Sequence, residues 1–111
     1  MALRKIYMEK EEILHKVCRP VTDFNERLWQ LLDDMAETMY HADGVGLAAP
    51  QVGILRRAVV IDTGEGLIEL VNPKIVMSKG SQLEVEGCLS CPGEYGKVKR
   101  PARVKVEAKN R

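Results

Sequence analysis

The chain has 111 residues and a net charge of +1, from 17 Lys and Arg against 16 Asp and Glu. That length has room for one domain, residues 1–111, and the near-neutral charge gives no electrostatic case for nucleic acid or an anionic membrane. Hydrophobic residues make up 45% and charged residues 30%, an ordinary globular balance, and an aromatic content of 5% is too low for a base-stacking surface. Residues 1–16 mix charge with apolar side chains and contain no signal-peptide core. No run approaches the ~20 apolar residues of a membrane span. Three cysteines, an odd number without an export signal, point to reduced thiols or a metal ligand, and the expected location is cytoplasmic.

Residues 1–22 read as extended, with a short turn or helical stretch near 11–16 and Pro20 barring any longer helix. The clearest helix covers 25–42. Leu28, Leu31, Leu32, Met35, Met39 and Ala42 form one apolar stripe at helical spacing. Asp23 or Asn25 can cap its start, and Gly44 is placed to end it. Asp33, Asp34, Glu37 and Arg27 lie off the stripe and predict a solvated face. Ala58–Ile61 predicts a buried strand ending in the turn 62–66. Residues 67–71 predict a second strand, stopped by Asn72-Pro73. Residues 74–78 and 82–86 flank Lys79-Gly80-Ser81 and suggest a hairpin. Val104, Val106 and Ala108 alternate with charged residues, as in a half-buried strand. The fold class is α+β, one main helix packed on short, mostly antiparallel strands.

Two segments carry the chemistry. Gly44-Val45-Gly46-Leu47-Ala48-Ala49-Pro50-Gln51 is a small-residue loop after the helix. Its small side chains allow a peptide backbone to approach, and Gln51 adds an amide donor able to polarise a carbonyl. The plainer reading is a tight helix-to-strand turn; the loop is no dinucleotide fingerprint, because it follows a helix and its third glycine is misplaced. Glu86-Gly87-Cys88-Leu89-Ser90 places a cysteine between a glycine and an apolar residue. Cys88 is then either a buried structural thiol or a metal thiolate. A catalytic metal needs three protein ligands and an open position. His15 and His41, the two histidines, are too far apart in sequence to share a helix face, and His41 suits a helix C-terminus. An alternative joins His15-x-x-Cys18 to Cys88-x-x-Cys91 as a closed structural zinc site, and Cys88-x-x-Cys91 also has the spacing of a redox pair, although no strand-then-helix context surrounds it as that chemistry requires.

Together the segments 44–51 and 86–90 resemble two of the three signature motifs of peptide deformylases. Residues 37–43, 71–73, 91–93 and 103–106 extend the likeness over essentially the whole chain. The resemblance implies metal-dependent hydrolysis of the N-formyl group of nascent N-formylmethionyl peptides, releasing formate. It implies that Cys88 is a thiolate ligand of Fe²⁺, replaceable by Zn²⁺, Ni²⁺ or Co²⁺. By the same likeness Gln51 and the Leu89 N–H serve the formyl oxygen as catalytic donors, Val45 and Gly46 bind the substrate backbone, and Glu86, Gly87 and Ser90 support the turn around Cys88.

The third family motif, an H-E-x-x-H helix carrying two histidine ligands and the general-base glutamate, does not occur in these 111 residues. The expectation is a truncated deformylase fold, inactive by itself. The apolar faces of helix 25–42 and of the sheet are expected to be exposed. A homo-oligomer, or a chain bringing the C-terminal segment, would cover them. A non-catalytic peptide- or partner-binding protein on the same scaffold is the alternative from another class.

Overall fold

The computed structural model describes residues 2–8, 10–101 and 103–110, without the side chains of residues 84 and 85. Met1 and Arg111, the ends of the expected domain, lie outside the described residues. In chain order, a 3-10 turn at Glu12–His15 precedes helix α1 (Glu26–His41) and strand β1 (Gly46–Ala48). A second 3-10 turn, Ala49–Val52, leads to β2 (Ala58–Ile61), β3 (Ile68–Lys79), β4 (Gln82–Cys88), β5 (Cys91–Arg100) and β6 (Arg103–Lys109). The strands form a four-stranded sheet in the order β1-β2-β3-β6 and a separate two-stranded sheet, β4-β5, with every pairing antiparallel. The α+β expectation holds.

The helix forms where its periodicity places it. Of the two candidate caps, Asn25 takes the role, its side-chain oxygen accepting the Leu28 N–H at 3.3 Å. The apolar stripe lays Leu28, Leu31, Leu32, Met35 and Met39 against Leu47, Ala58, Val60 and Val71 of the sheet, with Val21, Ala49 and Val52 closing the cluster. The expected exposure of this helix face is therefore corrected: Leu32, Met35 and Met39 are fully buried. The solvated-face assignment fails at Asp34. Its carboxylate is buried, accepting from the Ala2 N–H at 2.8 Å, from Gln30 at 2.6 Å and from the Arg4 guanidinium at 2.8 Å. Burial pushes this carboxyl upward, but the hydrogen bonds and the Arg4 charge outweigh it, and the net displacement is downward.

At the helix C-terminus the left-handed residue is Asp43, with φ of 56°, and not a glycine. The Asp43 N–H bonds the Tyr40 carbonyl and the Gly44 N–H bonds the Met39 carbonyl, which is a Schellman closure. Gly44 sits one residue later than expected for a left-handed cap, so its lack of a side chain needs another cause, found below at Leu89.

Asn72-Pro73 does not stop the second strand. β3 is 12 residues long in all and continues to Lys79, because a register shift between Val71 and Lys74 accommodates Pro73 as a bulge against β6. Asn72 adopts φ of 53° there. Its side chain accepts from the Val21 N–H at 2.7 Å and donates to the Val21 carbonyl at 2.8 Å, pinning the N-terminal segment to the sheet. The expected hairpin around residues 79–81 is also corrected. That turn sends the chain from one sheet to the other, β3 pairing with β6 and β4 with β5. β6 is exposed along its length instead of half-buried, and with Ile75 and Met77 it leaves Val104 and Val106 open to solvent. The expectation of an exposed apolar sheet surface thus holds for this half of the sheet. Among the described residues no helix is long and apolar enough to cross a membrane.

Candidate active site

The segment read as a loop contains an edge strand. β1 pairs with β2 on one side only, as the terminal strand of its sheet. Leu47 lies opposite Val60, and the Val45 carbonyl accepts the Asp62 N–H at 2.9 Å, so residues 45 and 47 face β2. The Ala48 N–H turns the other way, to Gln51 Oε1 at 3.0 Å. Gly46 shares Ala48's direction by strand alternation, and its main-chain N–H and carbonyl face the open edge. The Val45 side chain stands beside it, 63% exposed.

Gln51 is held on three sides. It is the third residue of the 3-10 turn, and its side chain reaches back to the backbone N–H of the preceding Ala48, half of a capping box that Ala48 has no side-chain oxygen to return. Its own carbonyl accepts the Tyr7 N–H at 2.7 Å. With Oε1 committed to Ala48, Nε2 must face the cleft, where it donates to Ser90 Oγ at 3.1 Å and Cys88 Sγ at 3.6 Å. The Tyr7 ring lies where a Cβ of Gly53 would stand, 2.8 Å away, and Gly53 has φ of 86°. Glycine is required there on both counts, and it ends the turn that carries Gln51.

Cys88, Leu89, Ser90 and Cys91 form the tip of the β4–β5 hairpin, with Cys88 and Cys91 opposite each other. Leu89 is half-buried and packs on the main core. A Cβ at Gly44 would come within 2.6 Å of Leu89 Cδ1, which explains the glycine: Leu89 occupies the space a side chain would need. Ser90 is buried under Gln51. The hairpin stem is closed by Arg100 donating to both Glu86 carboxylate oxygens at 3.0 and 2.8 Å, and this bond draws the Glu86 carboxyl below its ordinary value. The Tyr95 ring covers Gly87, where a Cβ would meet it at 2.7 Å.

These elements enclose an open cleft of about 620 Å³. Val45, Gly46, Gln51, Cys88 and Leu89, assigned from separate parts of the sequence, all line it. Cys88 is exposed, which removes the buried-thiol reading. Pro92, Glu94 and Tyr95 also line the cleft, and of these only Pro92 lies in a segment singled out in the sequence. The signal for Glu94 and Tyr95 is Pro92-Gly93, which lies in a bulge of β5.

Among the described residues no three or more His, Cys, Asp or Glu side chains gather where they could hold a metal. The structural zinc alternative, His15 and Cys18 with Cys88 and Cys91, is therefore not assembled. Cys88 offers one donor of suitable chemistry on its own, and the residues present do not complete a three-ligand centre.

Comparison with known proteins shows the family. A family profile described as polypeptide deformylase matches residues 3–111. A peptide deformylase of Acetivibrio thermocellus is 63% identical over the full 111 residues, and one of Caldicellulosiruptor bescii is 60% identical over the same length. The chain spans 65% of the length of the first and 67% of the second. A peptide deformylase crystal structure from Legionella pneumophila superposes with a TM-score of 0.92 at 48% identity, covering 96% of this chain and 64% of that one. The structure from Thermotoga maritima gives 0.95 at 42% identity, covering 97% of this chain and 74% of that one. With its two motifs brought into one cleft on this fold, the chain belongs to the polypeptide deformylase family.

Proposed function

We propose that the cleft is the formyl-recognition half of a peptide deformylase site, acting on N-formylmethionyl peptides and releasing formate. The observation that carries this reading is the convergence of the Gln51 amide, the Cys88 thiol and Leu89 beside the open edge of β1. An extended peptide adds to that edge by pairing with the Gly46 N–H and carbonyl, flanked by Val45. The Gln51 N–H now resting on Cys88 Sγ and the Leu89 backbone N–H donate to the formyl oxygen. Both gain strength as negative charge develops on that oxygen, which is the general route of oxyanion stabilisation.

Cys88 would be one ligand of the metal implied by the family, Fe²⁺ or in its place Zn²⁺, Ni²⁺ or Co²⁺, which would supply an activated water when bound. Its remaining ligands are not among the described residues, so the 111-residue chain alone is expected to be inactive. The protein works in the cytoplasm on this reading. The open Ile75, Met77, Val104 and Val106 surface is covered by a second copy or by a C-terminal deformylase segment.

Titration of the ¹⁵N-labelled chain with a formyl-Met peptide tests the cleft. The Gln51 side-chain amide and the Gly46 and Leu89 backbone amides should shift, and an N-acetyl peptide should shift Gln51 and Leu89 less. Equal response to both peptides would point to a peptide-binding module without formyl recognition. Formate release by the isolated chain with added Ni²⁺, abolished in Cys88→Ala, would overturn the expected inactivity.

A further inference from the structure

Cys91 has no part in the formyl-recognition reading, yet the fold sets it opposite Cys88. We infer that Cys88 and Cys91 form a peroxide-responsive dithiol, in which Cys91 captures oxidised Cys88 as a reversible disulfide across the hairpin tip. The two are register partners on β4 and β5, with Leu89-Ser90 as the turn between them. Directly opposed antiparallel residues have Cα atoms about 4.5–5.5 Å apart, inside the ~4.4–6.8 Å window that a disulfide spans. Leu89 is packed on the core and Ser90 is buried and bonded to Gln51, so the tip is anchored on both turn residues. Both cysteines are thiols and both line the cleft, Cys88 exposed and Cys91 half-buried. Access therefore favours Cys88 as the sulfur that meets the oxidant, and Cys91 as the one that resolves it.

The chemistry balances with hydrogen peroxide as the two-electron oxidant. The Cys88 thiolate attacks one peroxide oxygen. A sulfur–oxygen bond forms, the oxygen–oxygen bond breaks, and the departing hydroxide takes up the proton given up by the Cys88 thiol and leaves as water, with Cys88 as sulfenic acid. The Cys91 thiolate then attacks the Cys88 sulfur. The disulfide forms, the sulfur–oxygen bond breaks, and the departing hydroxide takes a proton to become the second water. Without a resolving thiol, further peroxide carries a sulfenic acid to sulfinic acid, which thiol reductants do not reverse. The pair thus exchanges irreversible loss of the Cys88 sulfur for a recoverable block.

The test uses the intact 111-residue chain in chelator, treated with a small excess of hydrogen peroxide and analysed by tryptic mass spectrometry. Peptide 80–97 should lose the mass of two hydrogens and recover both thiols with dithiothreitol. Cys18→Ser should behave identically. Cys91→Ser and Cys91→Ala, each checked for unchanged near-ultraviolet circular dichroism, should instead carry Cys88 to the sulfinic acid, with roughly tenfold less thiol recovered by reductant. Three results would overturn the inference: sulfinic acid at Cys88 appearing as fast in the unaltered chain as in Cys91→Ser, a link from Cys88 to Cys18, or dimers joined through Cys88.

Discussion

Replacing Gly44 by alanine tests the packing that fixes the hairpin tip. Gly44 is not among the residues with positive φ, so its backbone accepts a side chain and only the space above it matters. The added Cβ would lie 2.6, 3.1 and 3.3 Å from Leu89 Cδ1, Cγ and Cδ2. Ordinary carbon contacts are ~3.5–4.0 Å, so the Leu89 side chain must retreat by about 1 Å. Overpacking of this kind costs about 1–3 kcal/mol. The low end applies, because Leu89 is half-buried and its side chain can swing toward the cleft. Reduced freedom of the unfolded chain returns ~0.4–1 kcal/mol. The net expectation is a loss of no more than about 0.6 kcal/mol, read by urea unfolding through the single tryptophan, Trp29, on α1. The decisive step is a double-mutant cycle. In a Leu89→Ala background the clash is gone and only the entropic gain remains, so Gly44→Ala should become stabilising by ~0.5 kcal/mol. Amide shifts should move at Cys88 and Leu89 in Gly44→Ala. Additive effects in the cycle, or a neutral Gly44→Ala with unmoved Leu89 amide, would refute the assignment of this glycine to Leu89.

Asp34→Asn should cost about 3 kcal/mol at pH 7, the low end for breaking a buried pair because the Arg4 side chain is 31% exposed. Asp34 titrates lower in the folded chain than unfolded, so its contribution is present above the unfolded value of ~3.9 and is lost as pH falls through the depressed folded value. Urea midpoints of the two proteins should therefore converge in acid, and a constant gap down to the lowest pH would contradict the pairing. Asn72→Ala should lose about 3 kcal/mol, from two hydrogen bonds of ~1 kcal/mol each and ~1 kcal/mol of left-handed backbone strain, and Asn72→Gly should escape the strain. Thermal melts of both variants would separate the two contributions. Tyr40→Phe removes the hydroxyl that bonds Asp62 at 2.6 Å, the chief cause of that carboxyl's lowered value. Its carboxyl-carbon titration by nuclear magnetic resonance should move upward toward the ordinary range. An unmoved curve would mean that the Gly64 and Gly66 N–H groups hold it alone.

Local features were legible wherever the cause was local. The helix stripe, the Asn25 cap and strand 58–61 each follow from neighbouring residues, and they appear as read. That the candidate site residues share one cleft was legible for a different reason. Gln51 and Cys88 stand in two recognisable motifs, whose meeting required no register to be guessed. What stayed hidden depended on distant partners. Asp34 reads as a surface acid until Arg4, 30 positions earlier, is brought against it. Pro73 reads as a stop until β6 arrives from over 30 residues later to make its bulge. The pairing of β4 with β5 was obscured because Pro92-Gly93 resembles a loop, although the bulge there leaves the flanking ladder intact.

Gln51 shows how much of the cleft's chemistry precedes any ligand. An amide side chain in solution samples many rotamers and both faces, and ordering it on binding would cost about 1 kcal/mol or more. Here the Ala48 N–H fixes which end is oxygen, Ser90 holds one N–H, and Tyr7 bonds the main-chain carbonyl beneath. The one bond left to exchange is the 3.6 Å contact to Cys88 Sγ, and sulfur is the weakest acceptor of the set. A formyl oxygen entering the cleft therefore trades against that contact alone. The same contact links the proposed oxyanion donor to the thiol, so any event at Cys88, whether metal ligation or a disulfide to Cys91, changes where the Gln51 N–H points. In the proposed reading, formyl recognition and the state of the cysteine are coupled through this one side chain, and Gln51→Met should separate them: peptide-induced shifts at Leu89 should weaken while the Cys88–Cys91 disulfide still forms under peroxide.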